Sequence, residues 1–162
     1  MSSKSFGTPL EDINLIEEAL STYIVRACEK LRQQKSRAQG VYVFIKTNPF
    51  RNQDKQYYNS THISFIHPLS DTGAIITEGK RGLRRIFRTG YRYHKCGIML
   101  TNLVPDTFYK KDLFVQNDCR KNDKLMNTID NINDSIRAKA IFYASQGINQ
   151  KWKMRCDQRS SL

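Results

Sequence analysis

The alternation of apolar and polar residues changes period repeatedly along the chain, and each change predicts an element. Ser3 to Gly7 reads as a short strand, ended by Gly7 and Pro9. From Glu11, residues Ile13, Ile16, Leu20, Ile24, Ala27 and Leu31 recur every three or four positions. That spacing lines one face of a helix of about six turns, which Gly40 is expected to break. Val41 to Ile45 is β-branched and aromatic throughout, a strand, and Asn48-Pro49-Phe50 opens a polar loop. Tyr57 to His67 alternates like a second strand of the same hairpin. Over 72–89, Ile76, Gly79, Leu83, Ile86 and Phe87 share one helical face, with Lys80, Arg81, Arg84, Arg85 and Arg88 roughly opposite. Gly90 closes that helix, and Tyr91 to Leu103 reads as the last strand.

Strand, helix, strand, strand, helix, strand is the order of a split βαββαβ domain. The predicted class is therefore α+β: a four-stranded sheet with two helices on one face and the other face open. After Pro105 the pattern weakens. Residues 105–118 read as a linker, and 119–162 as a small appendage that contains one helix and docks on the first domain. Its helix carries an apolar stripe of Leu125, Ile129, Ile132 and Ile136, and Ala140 to Ala144 reads as a strand.

Charge sharpens the picture. The 162 residues carry 27 Lys and Arg against 15 Asp and Glu, a net charge of +12. Between Glu78 and Asp106 there is no acid, while Lys80, Arg81, Arg84, Arg85, Arg88, Arg92 and Lys95 fall there. A clustered cationic field attracts a polyanion. The amino terminus lacks an apolar signal segment and no run is long enough to span a bilayer, so the expected compartment is the cytoplasm and no membrane partner is expected.

Catalytic readings find little to stand on. Cys28, Cys96, Cys119 and Cys156 form no C-x-x-C pair and read as reduced thiols rather than a disulfide framework or zinc site. Asp130 and Asp134 share a helix face, but read as its solvated side. His62, His67 and His94 fall on no common face, and no phosphate loop or hydrolase motif occurs. No catalytic residue, metal or cofactor is expected. On the open sheet face, alternation places Lys4, Tyr42, Phe44, Lys46, Tyr93 and Lys95, with Val41, Val43, Ile45, Cys96, Ile98 and Leu100 turned to the helices. Cations on a sheet face suit phosphate contact; for the aromatic residues, cross-strand packing is an equal alternative.

Several segments then resemble one family in order and spacing: Lys4-Ser5-Phe6-Gly7, Ile45-Lys46-Thr47-Asn48-Pro49-Phe50, Tyr58-Asn59-Ser60, and Gly90 through Leu100. They resemble the UmuC family, the catalytic subunits of DNA polymerase V and its relatives, Y-family translesion polymerases of the bacterial SOS response. Gln146-Gly147-Ile148, Trp152 and Met154 are similar to that family's small C-terminal domain. The resemblance implies a little-finger domain over 1–104 that lies along primer-template DNA, with Lys4, Ser5, Lys46, Arg51, Arg92, Tyr93 and Lys95 as DNA contacts. It implies a sliding-clamp peptide at Leu113 and Phe114 within 105–118, where Lys110 replaces the usual Gln, and a UmuD-type SOS partner. The family's catalytic carboxylates would lie upstream of Met1, so the chain is expected to be non-catalytic alone, with a separately encoded catalytic half as a further partner. A protein-interaction module competing for the clamp or the SOS partner is the alternative function, and a functionless gene fragment a third.

Overall fold

Acidic caps start the first two helices. The Asp12 carboxylate accepts from the Asn14 amide at 2.9 Å, and that of Asp71 from the Ala74 amide at 3.1 Å, each satisfying an amide that a helix start leaves unpaired. The elements run β1 (Ser2–Leu10), α1 (Ile13–Gln33), β2 (Ser36–Thr47), β3 (Tyr58–Leu69), α2 (Thr72–Ile86) and β4 (Tyr93–Pro105), followed by a 3-10 turn at Asp106–Phe108, α3 (Asp118–Ser135) and a second 3-10 turn at Ala144–Gln146. This is a computed structural model, and it describes residues 1–108, 118–136 and 140–154.

The strands form one antiparallel sheet in the order β1-β4-β2-β3. β4 lies between β1 and β2, and β2 between β4 and β3, so both helices cross over a neighbouring strand: two interleaved split βαβ units, as the element order predicts. Alternation sends Phe6, Val41, Val43, Ile45, Ile63, Cys96 and Ile98 to the helix side, where they meet Ile16, Leu20 and Ile24 of α1 and Ile75, Leu83 and Ile86 of α2. Burying each large apolar side chain contributes about 1.5–3 kcal/mol. Two glycines let α2 come close: a Cβ at Gly79 would stand 2.5 Å from Ile24 Cδ1, and one at Gly82 2.9 Å from Ile63 Cδ1.

α1 ends at Gln33, well before Gly40, and β2 begins at Ser36. The left-handed residue that terminates a helix is usually glycine; here Lys35 takes it, at φ 51°. A sequence reading that waits for glycine places the break too late.

The appendage corrects two further expectations. Asp130 is not solvated: its carboxylate accepts from Arg32 Nε at 2.6 Å and Nη2 at 2.7 Å, while Arg32 Nη1 donates to the Ser70 carbonyl and to Thr72 Oγ1. Arg37 likewise donates to Asp123 at 2.7 Å and to Asp106 at 2.8 Å. Two largely buried guanidiniums need counter-charges, so α3 docks through Asp123, Met126 and Asp130 while Leu125 and Ile136 of the expected apolar stripe stand exposed. Residues 140–144 form no strand. The Ile141 amide and carbonyl are both taken by the Asn133 side-chain amide, which supplies what a neighbouring strand would. Trp152 closes the chain onto the first domain, 3% exposed and edge-on to Tyr23 at 5.8 Å, its carbonyl accepting from the Gly7 amide.

Candidate nucleic-acid interface

The open face is best described in rows across the strands, because residues opposite one another in an antiparallel pair share a side. The first row is Ser5, Lys95, Lys46 and Tyr58; the second is Ser3, Gly97, Phe44 and Ser60; the third is Met99, Tyr42 and His62; the fourth is Thr101, Gly40 and Ser64. None of these residues is a carboxylate. Lys46 and Lys95 are direct register partners, so two ammonium groups are held side by side on one surface. Like charges set opposite each other on a sheet are unfavourable; a phosphate arriving between them removes that cost.

Two residues expected on this face are elsewhere. Tyr93 is fully buried. Between the pairs Lys46↔Lys95 and Thr47↔Tyr93, β2 advances one residue and β4 two, so His94 is the extra residue of a β-bulge. The bulge turns Tyr93 to the helix side, where its hydroxyl donates to the Arg88 carbonyl at 2.8 Å and accepts from the Arg88 amide at 3.0 Å. Phe87 and Tyr57 pack against its ring. Lys4 is exposed, but it is paired in register with Cys96 and shares its side with the core residue Phe6, so it lies on the helix side of the β1 edge. Simple alternation was slipped by one residue on β1 and broken by the bulge on β4.

The remaining expected contacts gather at one end of the sheet. Ser5, Lys46 and Lys95 share a row. Arg51 is exposed in the loop that joins β2 to β3. Arg92 is exposed too, though Asp54 at 3.4 Å and Glu11 at 3.7 Å hold its guanidinium. His94, which the sequence reading did not select, sits among them: burial and then the positive charges of Lys46, Arg51 and Lys95 hold its imidazole below the usual pKa. The motif Tyr93-His94-Lys95 was visible, but nothing in it announces a bulge. Leu113 and Phe114 lie outside the described residues.

Three of the cations of α2 are paired with acids on the helical side. Glu17 of α1, 5% exposed, takes Arg84 Nε at 2.6 Å and Lys80 Nζ at 3.5 Å, and Arg81 pairs with Glu78 at 2.8 Å. Two members of that stripe thus tie α2 to α1. Among the described residues no three His, Cys, Asp or Glu side chains gather as a metal site. Burial pushes the Cys28 thiol up to about 12 and raises that of Cys96, so both stay protonated and unreactive. No helix of the described residues is long and apolar enough to cross a membrane.

Comparison with known proteins adds the following. The impB/mucB/samB family C-terminal domain matches residues 1–113, and a domain of unknown function (DUF4113) matches 123–162. Protein ImpB of Salmonella typhimurium is 34% identical over 159 residues, which is 98% of this chain and 37% of that protein. Protein UmuC of Salmonella typhimurium strain LT2 is 32% identical over the same length, 98% of this chain and 38% of that protein. The chain thus spans little more than a third of the length of these relatives. Among solved structures, the little finger domain of PolIV, in a complex with the beta-clamp processivity factor, aligns at a TM-score of 0.48 and 14% identity, over 70% of this chain and 96% of that one.

Proposed function

Because the chain belongs to the impB/mucB/samB family, as its C-terminal domain, we propose that it is a DNA-holding part of an error-prone, Y-family repair polymerase of the UmuC type. It grips the phosphate backbone with the open face of its sheet. The observation that carries the reading is the row Ser5, Lys95 and Lys46, with Arg51 and His94 at the same end, on a face whose rows hold no carboxylate. Phosphate oxygens accept from ammonium, guanidinium and hydroxyl groups whatever the base sequence, which suits an element that must follow any template. Nucleotide transfer belongs, on this reading, to polymerase segments outside the third of the family's length matched here. Such segments supply the carboxylates that hold two metal ions. The purified 162-residue chain, given magnesium and a primed template, should therefore extend nothing.

Binding to a short duplex, followed as salt rises, tests the reading. With three to four phosphates neutralised, affinity should fall roughly 50- to 150-fold between about 50 and 200 mM salt. Replacing Lys46 and Lys95 by Ala should flatten the log-log slope by about 2. An affinity indifferent to salt, or a double variant with the parent slope, would refute it.

A further inference from the structure

The second row of the open face differs from its neighbours. Phe44 is flanked by Gly97 on β4 and Ser60 on β3, with Ser3 beyond Gly97. A Cβ at Gly97 would collide with the Phe44 ring, 2.7 Å from its Cε1 and Cζ, and with Ser3. The ring is therefore laid over the bare glycine backbone. The adjoining rows are tall: Lys46, Lys95 and Tyr58 on one side, Tyr42 and Met99 on the other, each about 7 Å away along the strands. The result is a shallow corridor across the sheet with an aromatic floor. It is open toward β1, where only serines stand. At the β3 end the hydroxyls of Tyr42 and Tyr58 meet at 3.1 Å, with Ser60 beside them. The Tyr42 ring inclines toward that of Phe44 at a centroid distance of 6.4 Å.

We propose that this corridor seats an unpaired base of single-stranded DNA on the Phe44 ring, with a flanking phosphate on Lys46 and Lys95. The inference rests on the reading that this face holds DNA and specifies the form of DNA it takes. A duplex keeps its base faces stacked inside and offers nothing to an aromatic floor; an unpaired strand offers one π-face per nucleotide. A one-sided four-stranded sheet that carries aromatic rings beside cations is a general solution to holding single strands. Core packing does not account for the ring, which lies on the side away from the helices. The absence of carboxylates in the surrounding rows suits an anionic occupant. The hydroxyls of Tyr42, Tyr58 and Ser60 lie where a seated base would present its polar edge, and rotatable hydroxyls accommodate any of the four bases.

The test compares fluorescently labelled oligo(dT) with a duplex of equal length, on the full chain, by anisotropy. Phe44→Leu keeps the apolar bulk and removes the π-face. It should weaken oligo(dT) binding roughly 5- to 150-fold and change duplex affinity less than twofold, with an unchanged melting temperature. Phe44→Trp should retain oligo(dT) binding and show indole quenching on adding it, against the background of the single native, buried Trp152. Equal affinities of Phe44→Leu and the parent for oligo(dT), or an equal loss for both DNA forms, would overturn the stacking seat and leave the backbone-binding reading standing. Failure of both DNA forms to bind the parent chain would overturn that reading as well.

Discussion

His94 shows how much a single residue decides. As the extra residue of the β4 bulge it sends Tyr93 into the core and leaves Lys95 beside Lys46. Its own ring is left among Lys46, Arg51 and Lys95, which with burial lower its pKa. The sign of the linkage follows. A base whose folded pKa is lowered favours folding while neutral, above its unfolded pKa, and that contribution is lost as pH falls through the lowered value. NMR titration of the free chain should place His94 below the ordinary imidazole value of 6.5. Adding a short duplex should move it upward, because a nearby phosphate favours the imidazolium. A His94 titration that ignores DNA would mean that no phosphate comes near it. Tyr93 carries the complementary lesson. Period-2 reasoning is sound for a regular strand, but a bulge is invisible in the letters, and one inserted residue moved an expected contact into the core.

Among elements, those with a strong period were legible and those fixed by charge were not. α1, α2 and the inward faces of β2 and β4 follow from apolar spacing, because burying that spacing is what forms them. The start of β2 was misplaced because Lys35 does a glycine's work at a helix end. α3 was oriented wrongly because its docked face is ionic: Asp123 and Asp130 look solvated until Arg37 and Arg32 are known to lie opposite. Those pairs connect residues far apart in the chain, beyond the reach of a local pattern. Replacing both Asp123 and Asp130 by Asn keeps size and removes the charge. Such a variant should raise amide hydrogen exchange across α3 while leaving β2 and β4 protected, since among the described residues of α3 only Met126 is a buried apolar side chain. Unchanged protection of α3 would show that its apolar contacts suffice.

At the scale of the whole molecule the positive charge is divided between two surfaces with different work. On the helical side, Lys80 and Arg84 are drawn onto the buried Glu17, and Arg32 and Arg37 onto the appendage, so those charges hold the protein together. On the sheet side Lys46 and Lys95 stand in a row without an acid, available to a partner. That division was only half legible: the excess of basic residues announced a polyanion, but in the cation-rich segment 80–88 Lys80 and Arg84 are drawn onto Glu17, while Arg81, Arg85 and Arg88 stay exposed on the helical side, away from the sheet row. The direct measurement is NMR mapping of the isotope-labelled chain as a short duplex is added. The account predicts shifts concentrated on Ser5, Lys46, Arg51, His94 and Lys95, with α1 and α2 quiet. Shifts concentrated instead on Arg81, Arg85 and Arg88 of the helical side, with the sheet row unmoved, would contradict it.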